Sequence, residues 1–578
     1  MGKLVYWMVC AMLAGQTVAF GGRPPNVILV LTDDQGYGDL ACHGNPIIKT
    51  PNLDRLHDQS TRLDNFHVAP LCTPTRAALM TGQSPLRNGA WGTTWGRSLP
   101  RPELKTIANL FAANGYATAM FGKWHLGDNY PYRPSDRGFQ HVVRHKGGGV
   151  GQGPDAWGNN YFDDTYFVNG KPTKFKGYCT DIWFDETMRF IEKNKKHPFF
   201  AFLATNAPHA PLNVAKKYED LYSDNPAVPN AKFYGMISNI DENMGRLMQR
   251  LKKLGLEKNT ILIFMSDNGT SHGLDNGLGF NAGMKGAKGS LCDGGHRVPF
   301  FIRWPDGSIQ SDRDIRELCT VEDVLPTLAG LCGMETKGLN QKLDGIDLTL
   351  LLQGKTKTLP SRIVSTQFQQ SHKPPVKWHS AVLSGDWRLL WGSELFNVSS
   401  DPGQTNNVAA QHPEVVERLR GWYENRWNEV APDFDRFSPI TIGSDQEPLV
   451  RLDGLDWACD KSVWDQWQIR QGYHANGPWH IKVARPGLYR FALRRWSKEV
   501  NVPITGQFGP SFNKAIPLTD ATIEIQGIKR TCAIAPQDLE SVFEIPLKKG
   551  ITQLKTTFFN KNTGDSLGAY YVYVERVE

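Results

Sequence analysis

The chain has no apolar run of the roughly 20 residues that a membrane-spanning helix needs, no internal repeat and no low-complexity tract. No pair of its nine cysteines has zinc spacing, and so few, thinly spread over 578 residues, exclude a disulfide-built scaffold. Cys319 with Cys332, or Cys459 with Cys532, could still pair in an oxidising compartment. Net charge is also sparse: +7, with lysines and arginines scattered rather than striped. Nucleic-acid binding is therefore unsupported, and a mild preference for anionic substrates is all that the charge implies.

What is present is a globular composition, 40% hydrophobic and 21% charged, in a chain too long for one compact core. Length predicts two to four domains. The N-terminus opens on Met1-Gly2-Lys3, turns apolar from Leu4 to Ala14, and offers Thr17-Val18-Ala19 as a cleavage site. Residues 1–22 are thus expected to be a secretory signal, and the mature protein soluble and secreted or periplasmic.

After the signal, Asn26 to Thr32 is a continuous apolar run of strand length, as expected of a strand buried on both faces of a parallel sheet. It ends in Asp33-Asp34, at the strand end where open α/β sheets place ligands. A cation would make two adjacent acids comfortable there; a polar turn with an Asx cap is the plainer alternative. Further strands are expected over Tyr116–Phe121, Pro198–Ala204 and Thr260–Met265, alternating with helices over Glu103–Ala113, Asp181–Asn194 and Lys232–Leu254. That alternation predicts a mostly parallel sheet wrapped by helices. Each strand is followed by polar residues: Lys123 and His125; His209 between two prolines; Asp267 and Asn268; then Lys288 in a Gly-rich loop running to His296 and Arg297. Singly, each has a plain structural use. Together they bring acids, an amide, histidines and lysines to one sheet edge.

The stretch Cys72-Thr73-Pro74-Thr75-Arg76 begins a further helix that Gly82 is placed to end. Thr73 is expected as N-cap with Pro74 at the first helical position, so that orphan amide hydrogens converge near Cys72. Arg76, one turn on, shares its face.

These motifs resemble those of the type I, formylglycine-dependent sulfatases of the alkaline-phosphatase superfamily, from about Asn26 to about Val430. Cys72-Thr73-Pro74-Thr75-Arg76 fits that family's Cys-x-Pro-x-Arg signature. Asp33-Asp34, Gly122-Lys123-Trp124-His125, Pro208-His209-Ala210-Pro211, Ser266-Asp267-Asn268-Gly269 and Lys288 with Gly294-Gly295-His296-Arg297 follow in the family's order. The resemblance implies that a formylglycine-generating enzyme oxidises Cys72 to formylglycine. It implies one calcium ion held by Asp33, Asp34, Asp267 and Asn268 beside residue 72. It further implies that Arg76 and Lys123 steady the nucleophile, that His125 is the base, and that His209 and Lys288 act on the leaving oxygen. Thr75 stands where serine is commoner, Asp293 replaces a glutamate and Cys292 an aromatic residue; the last two alter the loop rather than the implied ligands.

The expected architecture is α/β: a large, mostly parallel, alkaline-phosphatase-like sheet flanked by helices (23–355), a small antiparallel C-terminal subdomain with one helix (356–431), a linker (432–447) and an additional β-sandwich (448–578). Trp457, Trp464, Trp467, Trp479 and Trp496 could stack on sugar rings, with core packing the favoured use. The expected activity is hydrolysis of sulfate esters, with O-sulfated carbohydrate suggested by export and by the aromatic-rich last domain. Two alternatives stay open: a phosphodiester or phosphonate monoester hydrolase of the same superfamily, and a catalytically silent glycan-binding protein.

Overall fold

The structure is a computed structural model that describes residues 23–509 and 513–578; the expected signal segment lies outside the described residues. Its centre is a ten-stranded mixed sheet. Asn26–Thr32 lies between Thr260–Ser266 and Phe199–Ala204, parallel to both, and Ala117–Gly122 and His141–Arg144 extend the parallel block. Antiparallel strands, Phe300–Arg303 on one side and Thr165–Val168 on the other, turn the sheet mixed toward its edges.

The continuous apolar runs form strands because both faces of the sheet are covered. Val27, Leu29 and Leu31 join one core with the helices Cys72–Thr81, Ile107–Ala113 and Val324–Leu331. Ile28 and Val30, pointing the other way, join a second core with Pro51–Asp58, Cys179–Asn194 and Ala231–Lys253. With its neighbours fixed in parallel register, the Asn26 strand delivers Asp33 and Asp34 to the same edge as Asp267 and Asn268.

A four-stranded antiparallel sheet, Val364–Gln367 through Glu394–Asn397, is covered by the helix Pro413–Val430. Beyond it, a six-stranded and a four-stranded sheet enclose one core that takes Ile481, Ile523 and Leu554 from the first and Val450, Phe491 and Val572 from the second. The stretch 432–447, read above as a linker, contains the strand Ile440–Ile442, which pairs with Trp479–Val483 in the six-stranded sheet. Trp457, Trp479 and Trp496 are core, whereas Trp464 and Trp467 are exposed. The suggested cysteine pairs do not form: Cys319, Cys332, Cys459 and Cys532 are all free.

Candidate active site

The helix Cys72–Thr81 carries the centre of the site. It begins one residue before the predicted cap: extended Leu71 is the N-cap, without a side-chain cap bond, and Cys72 is the first helical residue. Thr73 does not cap because its hydroxyl donates instead to the His125 carbonyl at 3.1 Å. Gly82 ends the helix in the left-handed region, φ 65°, and its N–H donates to the Ala78 carbonyl, as a glycine cap should. Cys72 therefore sits at the positive end of the helix dipole.

All the site residues read from the sequence meet around it. Asp33 accepts from Lys123 Nζ at 2.7 Å, with both side chains fully buried. Arg76 clasps Asp267 Oδ2 through Nε and a terminal nitrogen at 2.9 and 2.7 Å, and donates to the Lys123 carbonyl at 3.0 Å. Lys288 reaches Asp34 at 2.7 Å, and His209 Nε2 lies 3.8 Å from the same carboxylate. Asn268 Nδ2 donates to Asp34 Oδ1 at 2.9 Å. Cys72 Sγ lies 3.4 Å from His125 Nδ1. Asp34 and His125 both hold positive φ, 68° and 59°, a conformation non-glycine residues rarely adopt and one that concentrates at functional sites.

Electrostatics divide these groups into roles. Burial, outweighed by Lys288, His209 and Lys123, leaves Asp34 held well below the usual carboxylate range. Burial and then Asp33 push Asp267 up, against the pull of Arg76. Burial raises the Cys72 thiol despite Lys123 and Lys288, so the sulfur is a protonated thiol and not a thiolate nucleophile. Burial, then Lys123 and Arg76, hold His125 well below the ordinary imidazole value. Its Nε2–H donates to the Thr93 carbonyl at 2.9 Å, which fixes the tautomer and leaves the Nδ1 lone pair directed at residue 72. His209 is likewise neutral, lowered to about 3 by burial and Lys288. Its Nδ1–H donates to the Ala210 carbonyl at 2.6 Å, leaving Nε2 free to meet a substrate.

The same cluster offers oxygens to a cation. Asp33 Oδ1 and Asn268 Oδ1 are buried without a hydrogen-bond partner, an arrangement that costs free energy unless something else satisfies them. Ligand atoms of Asp33, Cys72 and Asp267 lie within 4.8 Å of one another. A set dominated by carboxylate and amide oxygens fits a hard cation.

Three contributors escape sequence reasoning. Thr93 acts through its main-chain carbonyl, which no residue pattern marks. Tyr161 anchors the His209 turn by donating its hydroxyl to the His209 carbonyl at 2.7 Å. Gly148 packs so tightly on His125 that a Cβ there would stand 2.3 Å from Cε1 of the ring; the run Gly147-Gly148-Gly149 is the one available signal of such a close approach.

Comparison with known proteins identifies the family. The family model described as Sulfatase matches residues 25–334. Arylsulfatase A of Homo sapiens is 30% identical over 474 residues, spanning 72% of this chain and 89% of that protein. N-acetylgalactosamine-6-sulfatase of Homo sapiens is 30% identical over 362 residues, spanning 58% of this chain and 68% of that protein. Among solved structures, Ps i-CgsB in complex with k-i-k-neocarrahexaose superposes with a TM-score of 0.62 and 28% identity, covering 72% of this chain and 99% of that one. A family match over more than half of the sequence, joined to a relative aligned over most of its length, makes this chain a member of the sulfatase family and a sulfuric ester hydrolase.

Proposed function

We propose that the chain is an exported sulfohydrolase of O-sulfated carbohydrate, working through a formylglycine made from Cys72 and a calcium ion bound beside it. The observation that carries this reading is geometric: Cys72 heads its helix with Sγ 3.4 Å from His125 Nδ1, amid acids whose ligand atoms lie within 4.8 Å of it and beside buried Asp33 and Asn268 oxygens that lack partners. Such surroundings suit a residue that ceases to be cysteine. The carbohydrate part is supported by the similar Ps i-CgsB, solved with k-i-k-neocarrahexaose, and by the relative named N-acetylgalactosamine-6-sulfatase. Export fits the apolar N-terminus at residues 1–22. A catalytic unit over 23–355, a subdomain over 356–431 and an accessory unit from 448 fit the sheets described above, with Ile440–Ile442 reassigned from the linker to the accessory unit.

Asp33, Asp34, Asp267 and Asn268 would hold the ion, with residue 72 as a further ligand. When bound, calcium supplies positive charge that polarises a sulfate oxygen and the attacking hydroxyl. Formylglycine, as its hydrate, supplies one hydroxyl for attack on sulfur and a second through which sulfate departs. Arg76 and Lys123 keep fixed positive charge beside that hydroxyl, where it costs no reorganisation during reaction. His125 Nδ1 takes the proton from residue 72, with the Thr93 carbonyl keeping the tautomer correct. Lys288, kept protonated by Asp34 against the effect of burial, would donate to the leaving oxygen. His209, with Nε2 3.8 Å from Asp34, lines the same position and can donate to the ester only once Nε2 takes up a proton.

Mass spectrometry of the peptide containing Cys72, from protein made together with a formylglycine-generating enzyme, tests the nucleophile. An unmodified thiol in active protein sinks it. Nitrophenyl sulfate compared with the matching nitrophenyl phosphodiester tests the ester, and faster turnover of the phosphodiester reverses the choice. Desulfation of defined sulfated oligosaccharides tests the sugar.

A further inference from the structure

The accessory unit touches two loops that border the catalytic histidine. On one side, His125 bonds the Thr93 carbonyl, and Thr93 Oγ1 donates to Gln370 Oε1 at 3.0 Å. Next to Gln370, His372 and Lys373 both reach Asp460 of the accessory unit at 3.5 Å. On the other side, Gly148 abuts the His125 ring, and its loop is bridged to the same accessory segment. Gln152 pairs with Asp465, and Gly153 N–H donates to the Trp464 carbonyl at 2.9 Å. The segment 460–467 therefore joins the Thr93–Lys373 wall to the Gly148–Gly153 wall.

That segment carries two indole rings that no core uses. Trp464 is 41% and Trp467 60% exposed, while Trp457, Trp479 and Trp496 of the same unit are buried. Their backbones are held firmly. Trp464 N–H donates to Gln468 Oε1 at 2.9 Å, and Trp467 N–H to Asp465 Oδ1 at 2.6 Å, within a capping box that starts the helix Gln466–Gln471. Two exposed indoles on a firmly held backbone, carried by the strip that links both walls, have the form of a sugar-stacking platform. An indole offers a large flat apolar area at small entropic cost, which suits the C–H face of a pyranose ring.

We propose that Trp464 and Trp467 form a glycan subsite that holds the chain of a sulfated oligosaccharide or polysaccharide beyond the sugar whose ester lies at residue 72. The accessory unit is then part of the substrate site. This rests on the carbohydrate reading above, and binding separates the two. Full-length Cys72→Ala protein, unable to turn over, is titrated with k-i-k-neocarrahexaose, a chondroitin sulfate hexasaccharide and a heparin hexasaccharide, following indole fluorescence and heat. Binding of at least one is expected, weakened about tenfold by Trp464→Ala and further in the double variant with Trp467→Ala, one stacked ring being equivalent to roughly a factor of ten. Trp464→Tyr should restore most of the affinity. Trp391→Ala, which removes an exposed indole from the antiparallel subdomain, should leave binding unchanged. Equal affinity in the wild-type and doubly substituted backgrounds overturns the platform, as does equal weakening by Trp391→Ala. Desulfation of a sugar without any effect of the two tryptophans leaves the carbohydrate reading standing and removes only this one. Absence of binding to all three probes, with nitrophenyl sulfate still turned over, removes the platform and leaves the sulfohydrolase.

Discussion

A single methyl group at position 148 tests whether His125, the proposed base, is aimed by its surroundings. A Cβ on Gly148 would lie 2.3 Å from Cε1 and 2.4 Å from Nε2 of His125. Non-bonded carbons settle at about 3.5 Å, so either the ring or the loop must retreat by about 1 Å. The loop is the stiffer partner. Gly147 N–H donates to Asp128 Oδ2 at 2.8 Å, Gly148 N–H to Gln152 Oε1 at 2.7 Å, and Gly153 N–H to the Trp464 carbonyl at 2.9 Å. The backbone at 148 lies outside the left-handed region, so alanine adds no conformational penalty of its own. The ring should move, stretching the 2.9 Å bond to the Thr93 carbonyl and carrying Nδ1 away from residue 72. Misplacement on this scale costs on the order of a hundredfold in rate, about 2.7 kcal/mol of barrier. The expected result for Gly148→Ala is a kcat on nitrophenyl sulfate about a hundredfold lower, with KM changed a few-fold and the melting temperature nearly kept. A kcat close to the wild-type value would refute the idea that this contact positions the base.

Two further outcomes follow from other parts of the site and fold. Treatment with EGTA should lower both turnover and the melting temperature, and added calcium should restore both; at one hundred times its Kd the ion contributes about 2.7 kcal/mol, so an unmoved melting curve would contradict the cation site. Asp344, clasped by Arg87 at 3.0 Å and Arg426 at 2.6 Å, is held below its ordinary pKa by Arg426 and Arg87 against the opposing effect of burial. Because the unfolded carboxyl binds its proton more readily, this contribution is complete above an unfolded pKa of about 4 and disappears as pH falls through the native value. Arg87 and Arg426 keep Glu429 as a partner, so Asp344→Asn should cost about 1–2 kcal/mol near pH 7 and flatten the acid side of the stability curve; parallel curves for the two proteins would show that the linkage is absent.

Much of this was legible because the informative signals are local. Continuous apolar runs such as Asn26–Thr32 have one stable use, a strand covered on both faces, and the polar residues that end them must then gather at one edge. The residues that escaped act through the main chain or through absence. Thr93 offers a carbonyl that any residue could supply, and Gly148 is defined by the atoms it lacks. Thr73 fits a cap by local preference, as a hydroxyl near a helix start, and that preference loses here to a longer-range bond with the His125 carbonyl. Ile440–Ile442 escaped because only three residues pair, followed directly by Gly443, Ser444 and Asp445. The five tryptophans of the last unit look alike in sequence, and only the paths of the two sheets separate buried from exposed.

If the accessory unit shapes the catalytic wall, one of its buried side chains should matter to chemistry that it never touches. Gln466, 4% exposed, donates Nε2 to the carbonyls of Gln152 at 3.1 Å and Ala156 at 3.2 Å, and accepts from Gly158 N–H at 3.0 Å. One amide thus ties three points of the loop that begins at Gly148. Gln466→Ala removes all three bonds and should cost about 2–3 kcal/mol of local stability at roughly 1 kcal/mol each. Gln466→Glu is nearly isosteric and keeps the acceptor for Gly158, but it turns a carboxylate toward two carbonyl oxygens. It should therefore be the worse of the two. Both should lower kcat on nitrophenyl sulfate, with glutamate falling further than alanine. Greater amide exchange in the loop 148–158 than in the rest of the sheet edge would distinguish loosened positioning from general destabilisation. Glutamate as active as glutamine would mean that the loop is held without this side chain, and that the accessory unit is a neighbour of the active site but no part of its wall.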